Sequence, residues 1–206
     1  MRIWTIQPVE VYKKLLQAKE LYTDVQLSHH LLEALKEKEH GRYWTFIDSY
    51  KWLVSMMDKY NVKGRVKGVE YPWWGWYIYN GKNSRPDLSE IGLGNTGELS
   101  YCIELELNDS EVLLSDHDYW HCVLNNADIW KGYEIDDNFD RQFDLHEEFI
   151  NQMGCNDYIK YKLQTWERIV GTLENPDDFP DGKYKQATFW RLRLSDVISV
   201  KEFRCR

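Results

Sequence analysis

One stretch restricts this chain more than any other: Tyr71-Pro72-Trp73-Trp74-Gly75-Trp76-Tyr77-Ile78-Tyr79. Aromatic and β-branched residues favour extended backbone, so the run reads as a strand. Alternation puts Trp74 and Trp76 on one face and Trp73, Gly75 and Tyr77 on the other. Both faces are therefore apolar, and such a strand is normally covered on both sides. Asn80-Gly81 closes it with a turn signal. The chain must build a sheet with other elements packed on both of its faces.

Five further strands are expected. Residues 2–7 alternate Ile3, Thr5 and Gln7 against Arg2, Trp4 and Ile6. Leu99 to Leu107 points Leu99, Tyr101, Ile103, Leu105 and Leu107 inward and Ser100, Cys102, Glu104 and Glu106 the other way. Residues 185–194 and 198–203 end the chain as two strands, and Val112-Leu113-Leu114 reads as a short one. Helical spacing appears after Pro8 to about Lys19, from an N-cap at Ser28 to about Glu39, and over 45–60. Ser115, with Asp118 three residues on, reads as the cap of a helix reaching Asn126. Two more helices are expected over 141–153 and 157–170, with loops at 81–98 and 176–182, a turn over 61–70, and an acidic solvated segment over 134–148. Strands at the start, middle and end with helices between them predict one α+β domain over 1–206, with a mixed or antiparallel sheet and helices packed against it.

The chain has 206 residues, and no apolar run approaches the ~20 needed to cross a bilayer, so no membrane partner is expected. The first residues carry no apolar signal core, which predicts a cytoplasmic protein. Cys102, Cys122, Cys155 and Cys205 are widely spaced and read as reduced thiols, without the paired spacing of a zinc site. A net charge of −8 argues against a wholly basic nucleic-acid binder. Only the C-terminal quarter, with Lys183, Lys185, Arg191, Arg193, Lys201, Arg204 and Arg206, suits a polyanion.

The standard chemical motifs are missing: no dinucleotide-binding glycine pattern, no phosphate loop and no nucleophile elbow. His117 and His121 lie four apart, so a helix would put both on one face, as two ligands of one ion are placed. The indoles of 73–77 offer flat faces on which sugars and planar rings stack. Gly75 lets a ligand or another backbone come close, and Arg85-Pro86-Asp87 stands downstream at the mouth of the same cleft. Gln186 and Thr188 form the polar end of a late strand able to line a pocket.

Several blocks in order, among them Trp4-Thr5-Ile6-Gln7, Tyr71 to Tyr77, Arg85-Pro86-Asp87-Leu88, Val112 to Asp116 with Trp120-His121, and Gln186-Ala187-Thr188-Phe189-Trp190, resemble an uncharacterised bacterial domain-of-unknown-function family, the 3841 family. The opening strand and helix, Ile3 to Tyr22, is more weakly similar to ADP-ribosyltransferase-like domains. That resemblance implies NAD as cofactor, held by the first strand and stacked by an aromatic of a middle strand. It also implies a late-strand glutamate that stabilises positive charge on the ribose. Carried over, Trp4, Gln7, Trp74, Trp76, Tyr77 and Arg85 bind the cofactor, and Thr5, Gln186 and Thr188 take the catalytic positions. Trp4 and Thr5 stand at the first-strand position where those domains carry a His or Arg, and Thr188 stands where the glutamate belongs; Glu104 and Glu106 are the substitutes at hand.

Three functions follow as expectations. The first is an NAD-dependent ADP-ribosyltransferase-like enzyme that modifies a macromolecule, as a toxin or defence effector. The second is a non-catalytic module whose Trp-rich cleft binds a nucleotide, sugar or peptide. The third is a metal-dependent hydrolase using His117 and His121.

Overall fold

The structure, a computed structural model, describes residues 1–23, 36, 46–130, 138–173 and 182–206. The helix expected from Ser28 to Glu39 lies outside the described residues, Lys36 apart, as do Glu134, Asp136 and Asp137 and most of the 176–182 loop.

Strand β1 (Arg2–Pro8) runs straight into α1 (Val9–Ala18), because Pro8 has the fixed φ that suits the position before a first helical turn. Lys19 ends α1 in the left-handed conformation, its N–H on the Leu15 carbonyl. A short β2 (Glu20–Tyr22) follows. Next come α2 (Phe46–Lys59), β3 (Trp73–Ile78), β4 (Leu99–Glu106) and β5 (Leu113–Asp116). The remaining elements are α3 (His117–Leu124), α4 (Phe139–Asn151), α5 (Cys155–Glu167), β6 (Val170–Gly171), β7 (Lys185–Phe189), β8 (Arg191–Arg193) and β9 (Val197–Arg204).

Seven strands form one sheet in the order β6-β5-β7-β3-β1-β4-β9, every pair antiparallel, while β2 and β8 pair separately. The expectation of a mixed or antiparallel sheet resolves to the antiparallel form. β3 sits at its centre and is covered on both faces. On one face Ile3, Ile103, Leu105, Leu114, Ala187 and Phe189 pack with Val11 and Leu15 of α1. On the other, Leu113 and Val170 meet Trp52, Leu53, Met56 and Met57 of α2, Trp120 and Val123 of α3 and Trp166 of α5, with Trp74 against them. Gly75 brings β3 close to β1: a Cβ there would stand 3.1 Å from the Trp4 carbonyl oxygen. The approaching group is backbone, so this glycine serves the sheet.

The expected late strand over 185–194 is two strands. Trp190 breaks it and joins the α2/α3/α5 side, while Leu192 joins the α1 side. β2 and β6, each three residues or fewer, were not foreseen. No described helix is long and apolar enough to cross a membrane.

Candidate functional site

Antiparallel register lines up one continuous row of side chains across the sheet. Trp4 of β1 faces Trp76 of β3, Trp76 faces Gln186 of β7, and Gln186 faces Ser115 of β5. Directly opposed residues share a face, so all four point to the same side. On the far flank Trp4 is paired with Glu104 of β4. Strands lie about 5 Å apart, so the row from Trp4 to Ser115 spans about 15 Å. Trp74 stands two residues along β3 on the same face, opposite Thr188.

Four polar atoms on this face are buried without a hydrogen-bond partner among the described residues: Trp4 Nε1, Trp74 Nε1, Ser115 Oγ and Gln186 Oε1. Desolvation pushes the hydroxyl of the partly buried Tyr50 up to about 12, and the Trp74 indole, whose ring lies 5.8 Å away, draws it the other way. Trp190 Nε1 is also unpartnered, but it lies off the row, with Arg65 4.5 Å above its ring. Each buried, unmade hydrogen bond costs about 1–3 kcal/mol. Four together rival the ~5–15 kcal/mol that holds a whole domain folded.

Ser115 reaches this row because the helix cap is one residue later than expected. Asp116 caps α3, its Oδ1 accepting from the Tyr119 N–H at 3.0 Å. Ser115 is thereby the last inward residue of β5, fully buried. Burial pushes the Asp116 carboxyl up, against the Tyr119 hydrogen bond, and Gly182 packs on it so closely that no Cβ fits.

At the open side of the row, Trp76 is half-buried. Its ring lies 5.0 Å from His117 and 5.1 Å from Tyr79, and His117 is 5.0 Å from His121. The two histidines do share a face of α3. His117 Nδ1 faces Asp118 Oδ1 at 3.3 Å, and no group of three potential metal-ligating side chains occurs among the described residues.

Other expected site residues stand elsewhere. Thr5 and Gln7 are on the opposite face of β1: the Thr5 hydroxyl donates to the Trp74 carbonyl at 2.6 Å and accepts from Gln7 Nε2 at 2.7 Å. Tyr77 packs on the α1 side with them. The sheet itself separates these three from Gln186, so the single cleft expected from the sequence is divided in two. Thr188 is on the correct face but sealed, its hydroxyl donating to the Leu113 carbonyl at 3.2 Å. A hydroxyl so placed is a cross-strand tie and offers no charge to a substrate. Arg85 is exposed; its charge bears on the Cys102 thiol, which burial pushes up to about 11. Of the nine residues, Trp4, Trp74, Trp76 and Gln186 come together, and Ser115 joins them. The basic C-terminal quarter is not a continuous patch either, because Arg191 and Arg193 engage Glu111 and Asp196.

No curated protein and no solved structure matches the chain. One family does, over residues 2–198, and it carries the description Domain of unknown function (DUF3841). The match spans nearly all of the sheet and every described helix, so the chain belongs to the DUF3841 family.

Proposed function

We propose that the chain is a small-molecule-binding domain whose site is the row Trp4–Trp76–Gln186–Ser115 with Trp74 beside it. The single observation that carries this reading is the set of four unpartnered polar atoms on one face of the sheet. A fold that left them unsatisfied would forfeit much of its stability; a bound molecule would supply the partners. Trp76 adds a partly exposed indole, bordered by His117, Tyr79 and Tyr184, against which a flat ligand would pack.

Tryptophan fluorescence tests it during titration with NAD, nucleosides, monosaccharides and short peptides. Quenching is expected with one of these classes, lost in Trp76→Ala and kept in Trp130→Phe. Equal quenching in both variants contradicts the site.

One observation favours a second reading, transfer from NAD. The charge-stabilising role implied by the ADP-ribosyltransferase-like resemblance needs a carboxylate, which Thr188 lacks. Glu104 is in the same row, beside Trp4, with Oε2 accepting from the Ser199 hydroxyl at 2.6 Å and Oε1 3.4 Å from Arg2. Nicotinamide released from NAD by the wild type and not by Glu104→Gln supports this reading. NAD bound without release leaves the binding domain.

A further inference from the structure

Outside the buried row, the open flank of α3 holds two imidazoles in a defined arrangement. His117 opens the helix and His121 stands one turn on, on the same face. Their ring centroids are 5.0 Å apart and the rings are nearly perpendicular, at 86°. Two imidazoles that share one ion, each nitrogen about 2.0–2.1 Å from it and the angle at the ion between square and tetrahedral, have centroids roughly 4.5–5.2 Å apart. The observed separation falls inside that range. The His117 side chain is 30% exposed and His121 is exposed, so an ion from solvent reaches both.

His117 is held in place from several sides. Its backbone N–H donates to the Tyr184 carbonyl at 3.0 Å, and its ring is flanked by Trp76 at 5.0 Å and Tyr184 at 6.2 Å. Its Nδ1 faces Asp118 Oδ1 at 3.3 Å. An ionised carboxylate only accepts, so it draws the ring proton to Nδ1 and leaves the Nε2 lone pair for a metal. Metal-bound histidines commonly have such a carboxylate behind the ring. His121 makes no side-chain hydrogen bond among the described residues. We infer that His117 and His121 chelate one divalent transition ion of the copper, nickel and zinc class, with Asp118 positioning the first ring. Imidazole suits these ions, whereas Mg²⁺ takes oxygen ligands. Catalytic zinc sites hold three protein ligands, so two here support binding with water in the remaining positions, and no hydrolytic step is assigned. The site does not rest on the reading of the buried row.

Isothermal titration of the untagged full chain with the chlorides of Cu²⁺, Ni²⁺, Zn²⁺ and Mg²⁺ tests it. The first three should bind, Cu²⁺ the tightest, and Mg²⁺ should not. His117→Ala and His121→Ala should each weaken the ion by roughly 10-fold or more, since even the outer partners of a metal ligand count for that much. His121 is exposed, so His121→Ala should keep the melting temperature and decides the matter should His117→Ala not fold. For Asp118, the readout is the ¹⁵N pattern of the His117 ring without metal: Nδ1–H in the wild type, moving toward Nε2–H in Asp118→Ala.

Binding of none of the three transition ions would mean that the rings only pack edge to face, and overturns the inference. Ion affinity unchanged in either histidine variant overturns it too, because the ion would then be held elsewhere. Mg²⁺ bound as tightly as Zn²⁺ would mark a carboxylate site and has the same effect. A His117 ring whose ¹⁵N pattern is the same in Asp118→Ala overturns the positioning role of Asp118.

Discussion

Ser115 and Asp116 are neighbours in the chain and do opposite work. Asp116 satisfies the first turn of α3, whereas Ser115 carries a hydroxyl with no partner into the sheet face. Removing a polar group that is already unpaired removes a penalty. Ser115→Ala is therefore expected to leave the melting temperature unchanged or raise it, and to weaken ligand binding. Thr188→Val does the reverse: its hydroxyl holds the Leu113 carbonyl, so urea unfolding should report a loss of about 1 kcal/mol, with ligand affinity kept. The pair of variants separates a site residue from a structural one on the same face. From the sequence Ser115 read as the cap of the helix in place of Asp116, because capping statistics favour serine and aspartate equally. Only the register of β5 against β7 shows which one turns inward.

Among the elements, β8 is fastened by charge. Arg191 and Arg193 both reach the buried Glu111, Arg193 Nη2 at 2.7 Å from Oε2. Burial alone would push that carboxyl up, yet hydrogen bonding from Arg191 and the two guanidinium charges outweigh it and hold it below the usual range. A depressed folded value means that Glu111 supports the fold in full above the unfolded glutamate value of about 4.3, and that the support fades as pH falls from there through the lower folded value. Glu111→Ala should cost about 3–5 kcal/mol near neutral pH, with the gap from wild type closing toward pH 3 in thermal unfolding.

A second tie joins the helices. Asp128 is buried, with His146 Nε2 of α4 at 2.7 Å and the Tyr158 hydroxyl of α5 donating at 3.1 Å. In Asp128→Asn, α4 amides should exchange earlier than those of β1 and β3; simultaneous exchange would show that the tie is not local.

The long strands were legible because alternation over six residues or more leaves one register that buries the apolar set. β2 and β6 were not, since two or three residues carry no period, and the bend at Trp190 depends on which side of the sheet has room for an indole.

Across the whole molecule, the aromatic richness has two uses. Trp52, Trp120 and Trp166 interlock under the sheet, Trp52 stacking on Trp120 at 6.3 Å and meeting Trp166 edge-on at 5.6 Å. Trp74 meets Trp120 at 5.3 Å, and Trp4 and Trp76 stand on the same face of the sheet as Trp74. The sequence showed that the central strand was covered on both sides and named four of the row's residues. It could not show that Thr5 and Gln186 end on opposite faces, because that depends on the pairing of Trp4 with Trp76, a contact between distant segments.

The row's claim is tested most directly at the indole N–H signals in a ¹H–¹⁵N spectrum. Trp166 already donates to the Ala127 carbonyl at 2.6 Å and Trp73 to the Leu21 carbonyl at 3.3 Å, so both serve as internal references. Addition of uridine, nicotinamide, NAD or glucose in turn should, for the class that binds, move the Trp4 and Trp74 signals downfield and leave those two in place. Trp4 and Trp74 signals that stay fixed through all four titrations would contradict the account.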